Sequence, residues 1–224
     1  MLEKEIKYLA PFLSENKKEG LTLIVGGAKI DTKIGVLKHF TKTADNILLG
    51  GALSNTFLSA DGFDVGESLY EEDKKDIAQE IQQEASAYHT GMHMPIDVVV
   101  ADSYDAPDTA TVPVEDICGD MKVFDIGAHT IVSFEEIIKH SKTVIWNGPV
   151  GCFERQEFQE GTKRILEYLA ELDNVQTIIG GGDTLGAIKK FEVDTSKFTH
   201  ISTGGGAMLE FLEGKVLPGI EIVQ

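Results

Sequence analysis

Six short apolar runs, each running into a glycine or an acid and each parted from the next by a stretch of helical character, constrain this chain more than any other feature. They are "LTLIVGG" (21–27), "NILLGG" (46–51), "IDVVVAD" (96–102), "TVIWNGP" (143–149), "QTIIGGGD" (176–183) and "FTHISTGGG" (198–206). The runs are β-branched and nearly continuous in apolar character, which is the pattern of strands covered on both faces. Alternation with helices then predicts a doubly wound, Rossmann-like α/β fold: three layers, α/β/α, around a central parallel sheet of about six strands. Helices are expected from about Ile30, Ala52, Tyr70, Thr130, Glu157, Asp183 and Gly205, after an opening amphipathic helix in which Leu2, Ile6, Leu9, Ala10 and Leu13 recur at helical spacing. Residues 103–127 break the rhythm and predict a long connection with one or two extra short strands. No low-complexity linker or break in composition divides residues 1–224, so a single domain is expected.

In such a sheet the residues that follow each strand gather along one edge, where ligands bind. Here they are "GGAK", "GGAL", "AD", "NGPVG", "GGGD" and "TGGG". Glycine costs about 0.5–1 kcal/mol relative to alanine in regular structure and is placed where backbone turns tightly or approaches something closely. Backbone N–H groups at helix N-termini hold phosphates in this way. Two tight turns are the plainer reading of the triglycines, and a polyphosphate site is the functional one. The familiar fingerprints are absent: GxxxxGK[ST] does not occur, and Leu185 and Leu209 stand where the last glycine of GxGxxG belongs.

Lys29 and Lys33 in "GGAKIDTKIG" bear on that choice. Cations one turn apart at a helix N-terminus oppose the dipole unless an anion sits between them and the helix. Two solvated lysines, with Asp31 as the helix cap, would also account for them. Asp183 carries the same ambiguity. It suits the N-cap of the following helix, or it bridges to a phosphate through Mg²⁺, a hard cation that prefers oxygen ligands.

Composition removes several classes. A net charge of −17 opposes nucleic-acid binding. No segment approaches the roughly eighteen apolar residues of a membrane span, so a cytoplasmic location is expected. Cys118 and Cys152 form no CxxC and no cluster with histidine, and are read as buried thiols. Of the six histidines, His200 falls in a strand and the rest in helices or loops, all read as structural or solvated.

"GGAKIDTKIGVL", "NILLGGALSNTFL", "DVVVAD", "TVIWNGPVGCFE", "TIIGGGDT" and "HISTGGGAMLEFLEGKVLPG", in this order, resemble the C-terminal, nucleotide-binding half of phosphoglycerate kinases. The likeness runs from 1–18, similar to the family's interdomain helix, to "LPG" near the end. It implies glycolytic phosphoryl transfer between 1,3-bisphosphoglycerate and ADP, giving 3-phosphoglycerate and ATP, with Mg²⁺ as cofactor. It also implies that the family's N-terminal, triose-binding domain is not among these residues. Gly27, Ala28, Gly50, Gly51 and Leu69 would line the adenine pocket, bordered by Phe124. Pro149 and Glu154 would contact the nucleoside, the glutamate through the ribose hydroxyls. Asn147 and Lys33 would reach the phosphates, with Gly181 and Gly205 in the same glycine corners. Asp183 would hold Mg²⁺ with Thr184 nearby, and Lys29, Lys33, Gly182 and Gly206 would surround the phosphoryl group in flight. A monomer is expected.

Four positions depart from the family pattern. Ala52 replaces the third glycine of "GGG", Asn55 takes a position usually apolar or aromatic, and Val123 and Phe124 replace a glycine and a leucine beside the adenine. The chain has only two arginines, Arg155 and Arg164, too few and too badly placed to grip a phosphorylated triose. Nucleotide binding without turnover is therefore expected of these residues alone. The alternative is a non-catalytic nucleotide-binding or regulatory module.

Overall fold

A computed structural model describes residues 2–14 and 16–215; the "LPG" at 217–219 lies outside them. After helix α1 (Leu2–Leu9) come β1 (Leu21–Val25), α2 (Ile34–Thr43), β2 (Asn46–Leu49), α3 (Gly51–Ala60), α4 (Lys75–Ala87) and β3 (Gly91–His93). A small excursion follows, β4 (Asp97–Ala101), β5 (Ala110–Pro113) and β6 (Lys122–Ile126). The chain then runs through α5 (Ala128–Lys139), β7 (Thr143–Asn147), α6 (Glu160–Glu171), β8 (Gln176–Gly180), α7 (Gly182–Lys190), β9 (His200–Ile201) and α8 (Gly206–Leu212).

The main sheet has six strands in the order β3-β2-β1-β7-β8-β9, and every neighbouring pair is parallel. Period-two alternation sends Leu21, Leu23 and Val25 of β1 to one face, where they pack with α2, α3, α4 and α8. Ile24 joins Trp146 and Ile179 on the other, against α5, α6 and α7. Both faces of β1 are covered, so all five of its residues are buried. From the centre the chain winds outward through β2 to β3, returns beside β1 as β7, and winds outward the other way. Helix α2 therefore leaves β1 on one face while α6 leaves β7 on the opposite face. That divergence opens a crevice at the strands' carboxyl ends.

The expected "IDVVVAD" strand is not in this sheet. It is β4, the middle strand of a separate antiparallel sheet ordered β5-β4-β6, with Leu58, Val65, Val98, Val100, Val114 and Ile117 as its own core. The sixth parallel strand is the short Gly91–His93 instead, so His93 is also a strand residue. The extra strands anticipated within 103–127 are β5 and β6. Helix α2 opens at Ile34 with Lys33 as N-cap residue, because 27–33 is a loop. Asp31 there pairs with Lys74 at 2.9 Å rather than capping. Cys118 is exposed and Cys152 partly buried, both as free thiols. Among the described residues no helix is long and apolar enough to cross a membrane.

Candidate nucleotide site

The crevice begins where β1 and β7 end. Val25 and Asn147 are register partners, and the pairing continues past the strands: Gly26 N–H donates to Asn147 O at 3.0 Å and Gly27 N–H to Pro149 O at 2.8 Å. A Cβ on Gly26 would lie 2.0 Å from Pro149 O, so only glycine lets these two corners close. Trp146 Nε1 and Gly148 O bond at 2.7 Å beneath them. Gly148 N–H donates to Thr184 Oγ1 at 2.8 Å, tying the β7 corner to the start of α7.

Two adjoining hollows open above this floor. The larger, about 580 Å³, is mostly apolar; Gly27, Ala28, Gly51, Ala52, Leu69, Val123, Phe124, Pro149, Glu154 and Asp183 line it. The smaller, about 340 Å³, is lined by Gly27, Ala28, Lys29, Lys33, Asn147, Gly148, Gly181, Gly182, Asp183, Gly205 and Gly206. Gly27, Ala28 and Asp183 belong to both. Of the residues singled out from the sequence, only Gly50 and Thr184 line neither. Gly50 is buried under Val150, with 2.5 Å between a Cβ placed on it and the valine's own. Thr184 is fully buried with its oxygen accepting from Gly148, so both shape the floor from below.

The triglycines do different things within one corner. Gly181 has φ +97°, a conformation that only glycine adopts without strain. Among the described residues a Cβ on Gly182 or Gly206 would meet nothing within 4 Å, so packing against them does not require glycine there. What bareness leaves at those positions is exposed backbone facing the smaller hollow. The first N–H groups of α7 have no partner within the helix, and its dipole favours an anion at that end. Asp183 sits inside the first turn, with Gly181 in the N-cap position and no side-chain cap bond; the capping role is not the one it plays.

Lys33 reaches across the crevice and donates from Nζ to Asn147 Oδ1. Burial pushes its pKa down to about 8, with Asp183 working weakly in the opposite sense. Asn147 is 2% exposed, and its Nδ2 has no partner among the described residues. A buried amide donor left unpaired costs about 1–3 kcal/mol, and an acceptor in the smaller hollow would remove that cost. Lys29 is exposed on the loop after β1. That loop is held from outside by Glu71, whose carboxylate accepts Ile30 N–H.

At the other end, Phe124 stacks on Phe158 with centroids 4.6 Å apart, and Tyr104 meets Phe124 edge-on at 6.0 Å. Arg155 lies over Tyr104 and Phe158 and pairs with Asp105 and Glu157. Arg164 pairs with Glu135 at 3.2 Å. Each arginine is thus engaged with carboxylates, and they do not share a pocket with Lys29 and Lys33. Among the described residues no cluster of three or more His, Cys, Asp or Glu could cage a metal. A lone carboxylate at the junction of the hollows suits Mg²⁺, which takes one or two carboxylates and fills its shell with phosphate and water.

Sequence reasoning missed Glu71, Lys190 and Asp125. Their partners lie 41, 37 and 36 residues away, and no local pattern marks them.

Comparison with known proteins agrees from three directions. The family model described as phosphoglycerate kinase matches residues 1–215. The phosphoglycerate kinase of Lactobacillus helveticus (strain DPC 4571) is 46% identical over 224 residues, which is all of this chain and 54% of that protein. The structure of phosphoglycerate kinase from Coxiella burnetii superposes with a TM-score of 0.93 at 36% identity, over 99% of this chain and 57% of the other. That of Pyrococcus horikoshii OT3 gives 0.82 at 29% identity, over 100% and 56%. The chain spans about half the length of the relatives it matches. With its six-stranded parallel sheet, its glycine corners and a family match across nearly all its length, this chain belongs to the phosphoglycerate kinase family.

Proposed function

We propose that residues 1–224 form the nucleotide-binding half of a phosphoglycerate kinase, taking MgADP or MgATP at the β1/β7 switch point. The carrying observation is that an apolar hollow and a basic, glycine-lined hollow adjoin at Asp183 on one sheet edge. The base would lie against Leu69, Val123 and Phe124, with Glu154 beside the ribose. Lys29, Lys33 and Asp183 together leave one positive charge, matching the single negative charge of a magnesium nucleoside diphosphate.

The reaction proposed is transfer between 1,3-bisphosphoglycerate and ADP, giving 3-phosphoglycerate and ATP. Phosphoryl transfer passes through a loose transition state with charge spread over equatorial oxygens, so donors and positioning dominate. Lys29, the Lys33 ammonium and the bare backbone at Gly182 and Gly206 would supply those donors. Mg²⁺, when bound, would neutralise charge on the phosphates beside Asp183. A carboxylate acceptor is already deprotonated at neutral pH, so no general base is needed.

By themselves these residues would bind without turning over. A phosphorylated triose calls for convergent arginines, and both arginines here are held in ion pairs. Losing acceptor positioning forfeits roughly 7–11 kcal/mol of barrier lowering. A coupled assay with 3-phosphoglycerate and MgATP should read background for the pure chain. Adding a separately made N-terminal half from a relative should restore some rate. Robust activity from the 224 residues alone would overturn this reading. Nucleotide binding with no rate after complementation would favour the second reading, a non-catalytic binding module, for which the rebuilt wall at Val123 and Phe124 is the supporting feature.

A further inference from the structure

Lys190 closes the last turn of α7, the helix whose first turn carries Gly182 and Asp183. Its ammonium donates to two successive carbonyls of the loop after β7, Phe153 O at 2.7 Å and Glu154 O at 2.8 Å. The same loop is fixed along the helix by its buried aromatic ring: Phe153 meets Phe191 edge-on at 6.3 Å, and a Cβ on Gly186 would touch its Cζ at 3.7 Å. One rigid helix about 12 Å long from Gly182 to Lys190 therefore carries the phosphate-facing corner at one end and grips the Glu154 turn at the other.

We propose that Lys190 is a positioning residue that fixes the Glu154 carboxylate relative to the phosphate-facing corner, and so sets how tightly the site holds the ribose hydroxyls of a nucleotide. The inference rests on the reading of Glu154 as the ribose ligand. Glu154 is exposed, and among the described residues no hydrogen bond holds its side chain; its placement comes from its backbone. An ammonium donating to two carbonyls is a strong, charge-assisted anchor. Removing it frees the turn to shift, and a displacement of about 1 Å at a ligand-contacting group can cost up to about a hundredfold.

The test compares MgADP with magnesium 2′,3′-dideoxyadenosine diphosphate, titrated into the wild-type chain and into Lys190→Met, Lys190→Arg and Glu154→Ala. The wild type should prefer the ribonucleotide. Lys190→Met should lose about tenfold in ADP affinity and little for the dideoxy compound, so the preference shrinks. Lys190→Arg, still a cationic donor, should keep most of it. Equal weakening of both nucleotides in Lys190→Met, or no change in either, would overturn the proposal while Glu154→Ala, by erasing the preference, upheld the ribose contact. If Glu154→Ala left the preference intact, the ribose reading would fall, and the role of Lys190 with it.

Discussion

Lys33 Nζ donates to Asn147 Oδ1, joining the loop after β1 to the end of β7 directly across the switch point. The bond uses the oxygen of the amide and leaves Nδ2 as a buried donor without a partner among the described residues. One contact thus fixes both a cation and an amide N–H at the same end of the crevice.

Lys33 should make binding pH-dependent. Burial lowers its pKa to about 8, and a phosphate beside it would hold the proton on. ADP affinity should fall as pH rises through about 8, with proton uptake visible by calorimetry in buffers of different ionisation enthalpy. For the ligand-free chain the sign reverses. Between about 8 and the ordinary 10.5 the unfolded chain binds more protons than the folded one, so stability rises with pH across that window. Lys33→Met should flatten both profiles; unchanged profiles in that variant would assign the effects elsewhere.

Asp125 should act in the opposite sense. Its carboxyl is 2% exposed and accepts Gly161 N–H at 2.8 Å and Ile126 N–H at 2.9 Å. Burial still dominates and raises its pKa from 3.8 to about 8. The folded chain keeps this proton where the unfolded chain has lost it, so stability should fall as pH climbs from about 4 to about 8. Asp125→Asn retains an oxygen acceptor and should remove that slope in a urea-unfolding series. A slope that persists in the variant would show that Asp125 is ionised in the fold.

Asp183→Ala should separate metal from helix. The helix places Asp183 inside the first turn and not at the cap, so little stability should be lost. MgADP binding should weaken about tenfold while metal-free ADP changes by less than about twofold. Equal losses with and without Mg²⁺ would show that the carboxylate serves the fold alone.

The sheet and its glycine edge were legible because their cause is local: continuous apolar runs, then residues that only a turn or a close approach tolerates. "IDVVVAD" misled for the same reason. Its Val98 and Val100 are as apolar as any central strand, but they face the small core with Leu58 and Val65, and nothing local distinguishes that core from the main one. The true sixth strand, "GMH", is too short and polar to announce itself, and becomes a strand only by pairing with β2. Thr184 and Gly50 were placed on the cleft by analogy, whereas packing puts them beneath it. Lys190 and Glu71 act through backbone far away in sequence, and only the fold brings those partners together.

The base should be read loosely. Phe124 presents a ring already stacked on Phe158, and stacking on aromatic side chains is tolerant of base identity. ADP and GDP affinities should fall within about tenfold of each other, measured by competition. A much larger adenine preference would mean that the wall at Val123 and Phe124 makes base-specific hydrogen bonds through its backbone.

The most direct measurement is a calorimetric titration of MgADP into the 224-residue chain, alongside Lys33→Met. One nucleotide should bind per chain, with affinity reduced at least about tenfold in the variant, as expected for removal of a charged hydrogen-bond donor. No detectable heat and no thermal shift at millimolar MgADP would contradict it, as would binding that Lys33→Met leaves untouched.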